Sequence, residues 1–172
     1  MTMKKKLQTK TAALLTITIV LTLMACATSQ MTRQEKAMQK AQLAERIIND
    51  LNNRHYQIDV NDATPDGWGR VIHLTSLYSV TVAGDTLISY LPFFGRAYSV
   101  PYGGGSGLNF TGVISQYDET ISRKGEHIIS MEVVSKEDSY RYIISVFDNG
   151  RATVSVTPRQ RSHIFFSGNY HE

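Results

Sequence analysis

Residues Tyr140 to Thr157, YRYIISVFDNGRATVSVT, constrain the fold more than any other stretch of this 172-residue chain. Tyr140, Tyr142, Ile144 and Val146 alternate with their neighbours, and Ala152, Val154 and Val156 do the same on the far side of Asp148-Asn149-Gly150. Period-two alternation places each apolar set on one face of a strand. Asn-Gly supplies the positive φ values of a two-residue type I′ turn, so the two runs form a hairpin. A lone hairpin is marginal in water and needs further strands over a shared apolar face.

The rest of the chain offers those strands. From Tyr56 onward the apolar period is two: Tyr56, Ile58 and Val60 are followed by Thr64-Pro65-Asp66-Gly67, where proline presets φ for a turn. Val71 to Leu77 and Ser79 to Val82 are β-rich, Ala83-Gly84-Asp85 is a tight turn, and Thr86 to Leu91 is the next strand. Leu108 to Tyr117, Glu126 to Ser135 and Ser162 to Ser167 add three more. Ahead of them, Gln34 to Asn52 has a helical period, with Ala37, Ala41, Ala44, Ile48 and Leu51 on one stripe widened by Leu43 and Ile47. Thr32 and Glu35 have the spacing of a capping box. The expected fold is α+β and mostly β: one N-terminal amphipathic helix, then a seven- to eight-stranded antiparallel meander, curled over its core or closed like a barrel. The helix would cover one open face or plug an end.

The first 25 residues differ from all that follows. Lys4, Lys5, Lys6 and Lys10 precede the uncharged apolar run Thr11 to Met24. That run is shorter than the about 20 residues of a transmembrane helix and suits a secretory signal. It ends in Leu23-Met24-Ala25-Cys26, which is similar to a bacterial lipobox. Diacylglycerol on the Cys26 thiol, cleavage after the small Ala25, and acylation of the freed amine by palmitate-type chains would anchor the protein. Each buried methylene contributes about 0.8 kcal/mol, and two or three chains hold where one does not. An ordinary secretory signal and an uncleaved anchor are the alternatives. The domain reading is thus a signal peptide at 1–25, a tether at 26–33 and a single domain at 34–172. Thr28, in place of an aspartate after Ala27, points to the outer membrane, and the lack of an acidic cluster after Cys26 points to its periplasmic side.

Removal of the signal changes the charge from +3 to −1, since the signal holds four lysines and no acid. The mature chain therefore has no basic excess of the kind that marks nucleic-acid partners. Cys26 is the sole cysteine, so no intramolecular disulfide staples the domain.

Leu91 to Gly107, LPFFGRAYSVPYGGGSG, is the candidate recognition feature. Tyr90, Phe93, Phe94, Tyr98 and Tyr102 crowd around Arg96, and Gly103, Gly104 and Gly105 follow. They read as a packing cluster at a strand exit, or as an aromatic cleft with a glycine rim. Phe93 and Phe94 would face opposite ways in an extended strand. A phosphate loop is excluded, because Leu108-Asn109 and a strand follow the glycines where a lysine, a hydroxyl and a helix are required.

Other constellations carry less chemistry. His55, His73, His127, His163 and His171 have no paired metal-ligand spacing, and no metal or cofactor is expected. Asp118-Glu119 and Glu137-Asp138 are expected in turns, as solvated acids. No G-x-S-x-G occurs, and no catalytic residue is assigned.

TPDGWGR, SYLPFFGRAYSVPYGGGSGLNFTG, YRYIISVFDNGRATVSV and RSHIFFSG, in that order after a lipobox and a helix, carry a resemblance. From about residue 35 onward the chain resembles a family of small Bacteroidota lipoproteins classed only as a domain of unknown function. The resemblance implies export and a compact, mostly-β domain, and it transfers no site residue. The expected function is a membrane-anchored envelope module that binds a small ligand or a protein and is not an enzyme. The alternatives are an envelope hydrolase with a site assembled from separate strands, and a purely structural envelope protein.

Overall fold

The computed structural model describes residues 33–98, 107–136 and 138–171. The chain parts into two units, Met1–Ala37 and Met38–Glu172, and the second holds the barrel. Helix α1 spans Arg33–Asn52. Eight strands follow: β1 His55–Pro65, β2 Ile72–Ala83, β3 Thr86–Pro92, β4 Gly107–Ile121, β5 His127–Val134, β6 Ser139–Val146, β7 Arg151–Pro158 and β8 Ile164–Tyr170. Each pairs antiparallel with its neighbour, and β1 pairs with β8, so the meander closes into a barrel.

Alternation decides what faces in. Ile58, Val80, Leu87, Leu108, Ile129, Met131, Ile144, Val154 and Phe166 fill the interior with almost no exposed surface. Asp59, Asp62, Glu132 and Arg141 sit on the other parity. Apolar inside and charged outside is the reverse of the pattern of a lipid-embedded barrel. Among the described residues, no helix is long and apolar enough to cross a membrane.

The strands run longer than expected because bulges rephase them. The ladder of β1 shifts between Val60 and Asp62 on both sides, and that of β4 shifts between Ile114 and Gln116. One extra residue restores the inward parity of Ala63 and of Tyr117. Three expectations are thereby corrected. Pro65 ends β1 opposite Ile164, and the turn runs from Pro65 to Trp68, so proline does not preset its centre. Val71 to Val82 is nearly one strand, in which Leu74 to Leu77 bulges away from β1. Asp118 and Glu119 lie within β4 and not in a turn, since the alternation of Tyr117, Glu119 and Ile121 continues the ladder to His127.

The hairpin read from Asn149-Gly150 forms, but its turn is not the expected type I′. Only Gly150 takes a positive φ, 79°, and its amide donates to the Phe147 carbonyl at 2.9 Å, so the turn spans Phe147 to Gly150 with the left-handed glycine at its end. Helix α1 covers the barrel end at which β1 starts and β8 finishes. Ile47 and Leu51 enter the core, and the Tyr170 hydroxyl donates to Asp50 Oδ2. The buried stripe is centred on Ile47 and Leu51, with Leu43 packed beside them, and Ile48 lies at its exposed margin. The stripe is thus rotated from the one expected. Arg54 takes a left-handed conformation, φ 52°, just past the helix. Thr32, the expected cap, lies outside the described residues.

Candidate functional site

The barrel has two unlike ends. At the helix end, Arg54 reaches Asp85 at 2.9 Å and lies 4.4 Å over the ring of Tyr117. The hydroxyls of Tyr117 and Tyr56 are 3.5 Å apart, and burial raises the pKa of both. His127 Nδ1 lies 2.9 Å from Glu119 Oε1, which gives this buried imidazole a partner.

At the other end, the chain leaving β3 crosses over the interior. Phe93 and Phe94 are both half-buried and both pack on the core. The expected opposition of these two rings fails because Pro92 ends the strand, so alternation no longer applies. Backbone bonds fasten the segment to the β7–β8 turn. The Ser162 amide donates to the Arg96 carbonyl at 2.9 Å, the Tyr98 amide to the Gln160 carbonyl at 2.8 Å, and the Arg96 amide to Ser162 Oγ at 3.1 Å. A Cβ on Gly95 would lie 2.4 Å from Ser162 Oγ, so a side chain there would displace the hydroxyl that holds the Arg96 amide. Arg161, and not Arg96, sits over the Phe93 ring at 5.2 Å, and it donates to the Gly107 carbonyl at 3.1 Å. Below this plug, Phe110 stacks on Tyr140 at 4.1 Å, and Tyr142 completes the aromatic layer.

The sequence-predicted residues therefore divide. Phe93 and Phe94 belong to the plug, while Tyr90 and Tyr98 are exposed at the same end, Tyr98 at 73%. Tyr90 stacks on Tyr78 at 5.5 Å. Arg96 is exposed and is tied down through its backbone. Tyr102, Gly103, Gly104 and Gly105, like Cys26, lie outside the described residues.

Sequence reasoning missed the companions of the exposed tyrosines. Trp68 and Val71 in the β1–β2 turn, and Leu77 in the β2 bulge at 94% exposure, crown the same end. Arg70 lies 5.3 Å over the Trp68 ring. The isolated Trp68 between two glycines was a usable signal. Leu77 was not, because its exposure depends on a bulge that no residue type announces.

The histidines go to separate partners: His55 to the Asn53 carbonyl, His73 to Asp62, His127 to Glu119, His163 Nε2 to Ser155 Oγ at 2.7 Å, and His171 to Asp59. Among the described residues, no three histidine, cysteine or acidic side chains group as metal ligands. The Ser155–His163 pair has the contact of a nucleophile and base. Among the described residues no carboxylate orients the other ring nitrogen, as such a dyad needs.

A closed eight-stranded antiparallel barrel, capped by a helix at one end and by a crossing aromatic segment at the other, defines the class. The chain belongs to the family described as Domain of unknown function (DUF4251), which it matches over residues 38–170. It is similar in fold to the crystal structure of a DUF4251 family protein from Bacteroides eggerthii, at TM-score 0.60 and 16% identity, over 74% of this chain and 86% of that one. No curated protein matches it.

Proposed function

We propose that this chain is a lipid-anchored envelope protein whose barrel is a recognition module, docking a partner protein through the apolar crown at its loop end. The carrying observation is that Trp68, Val71, Leu77, Tyr90 and Tyr98 are exposed together on elements of one end. Exposed apolar groups that recur in one place mark contact surfaces, and tyrosine and tryptophan are the side chains that most often dominate them. Phe93 and Phe94 fill the barrel mouth, which favours docking on the surface over entry of a small ligand into the interior. The lipobox ending in Cys26 supports the anchoring half of the reading.

Each half has its own test. Tyr98→Ala and Leu77→Ser remove exposed side chains and should leave the melting midpoint nearly unchanged, within about 0.5 kcal/mol of stability. Both should lose the adduct that the wild type forms on crosslinking in native envelopes. Retention of that adduct in both variants refutes the docking surface. Cys26→Ala should abolish metabolic palmitate labelling and release the protein from the membrane fraction, and unchanged labelling refutes the anchor.

A further inference from the structure

On the outer face of β1, β8 and β7, away from the crown, polar side chains surround a groove of about 430 Å³. Its origin is the β1 bulge. Asn61 has no partner in either ladder, and the register shifts around it on both sides. Gly168 lets β8 approach the bulged strand, since a Cβ there would lie 1.9 Å from the Asp59 carbonyl oxygen. The result is a concave strip on a surface that would otherwise be convex.

Asp62, Ser167 and Thr153 form one cross-strand row, and Asn169 and Arg151 form the next. Neighbouring strands stand about 4.8 Å apart, so the polar groups make a mesh on the scale of one sugar ring. The Asp62 carboxylate is held on both oxygens, by His73 Nδ1 at 2.5 Å and by Ser167 Oγ at 3.4 Å, and so is a positioned acceptor. Among the described residues, the side chains of Asn61, Arg151, Thr153 and Asn169 have no hydrogen-bond partner, and the half-buried Phe147 ring closes the helix end of the groove.

This composition selects a ligand class. One carboxylate, Asp62, and one guanidinium, Arg151, line the groove, so it carries no cationic excess to favour phosphate or another free anion. Two amides, each both donor and acceptor, two hydroxyls, a fixed carboxylate and one aromatic ring match a neutral polyol with one apolar face. The volume lies in the ordinary range of small-ligand sites, about 300–1,000 Å³. We propose that the β1–β8–β7 groove is a saccharide subsite for a neutral pyranose unit, distinct from the protein-docking crown.

The test is an amide-shift titration of the barrel domain in its full mature chain, with millimolar neutral hexoses, N-acetylhexosamines and their disaccharides. At least one probe should shift the amides of residues 151–153 and 167–169. Asn169→Ala and Thr153→Val should each weaken that probe about tenfold, the loss of one ligand hydrogen bond, with an unchanged melting midpoint. Tyr98→Ala and Val134→Ala should bind it as the wild type does. The proposal is overturned if no probe shifts the groove amides, if the shifts lie at the loop end and vanish in Tyr98→Ala, or if both groove variants bind like wild type.

Discussion

The Tyr142 hydroxyl is fully enclosed, and it donates to Ser89 Oγ at 3.0 Å, while Ser89 donates on to the Leu108 carbonyl at 2.6 Å. Burial pushes the Tyr142 pKa far up, and burial together with Asp50 does the same for Tyr170. A phenol whose folded pKa exceeds its unfolded value of about 10 stabilises the protein fully below that pH and loses the contribution as pH rises beyond it. Stability measured in denaturant should thus be insensitive to Tyr142 ionisation up to about pH 10 and fall above it. Tyr142→Phe should cost about 1 kcal/mol at neutral pH and make the alkaline fall shallower. An equally steep fall in the variant would count against it. Gly168→Ala makes a second prediction: with Asp59 backbone in the way it should destabilise by about 1–3 kcal/mol or more, read from the denaturation midpoint. The inward parity of Tyr142 was legible, whereas apolar residues occupy both faces of Thr86 to Leu91 and left the side of Ser89 unmarked. The Ser89–Tyr142 bond was not legible, because it joins positions on non-adjacent strands that meet only across the closed interior.

Among the elements, α1 shows how a legible periodicity can still mislead in phase. An alanine-rich stripe ran through Ala37, Ala41 and Ala44, yet burial falls on Ile47 and Leu51, since only the larger side chains reach the core from a helix laid over a barrel end. Leu51→Ala should cost about 2–5 kcal/mol, whereas Ala41→Ser should change little, and equal effects would contradict the placement. The plug behaves as a packed element: Phe93→Ala should lower stability by about 1–3 kcal/mol, less than for a fully enclosed ring. Turn chemistry announced the β6–β7 hairpin but not its turn type, since an Asn-Gly pair also serves a longer turn in which only Gly150 is left-handed. The continuation of β4 past Tyr117 was hidden, because Asp118-Glu119 reads locally as solvent and gains its strand only from pairing with β5.

At the scale of the whole molecule, closure by β1 and β8 removes the open edges that a meander of this length would otherwise expose. The antiparallel pattern was visible strand by strand. Curled sheet and closed barrel stayed equivalent in sequence because closure depends on bulges at Asn61 and Ser115, and bulges have no reliable residue signature. Closure also sorts the loops onto two ends. That sorting turns Trp68, Leu77, Tyr90 and Tyr98, scattered along the chain, into one crown. The most direct measurement of the docking claim places a photo-crosslinking amino acid at Tyr98, and separately at Val134 on the outer barrel face, in the full-length protein in living cells. The crown predicts a discrete protein adduct from position 98 and none from position 134. Adducts from both positions alike, or none from position 98, would contradict it.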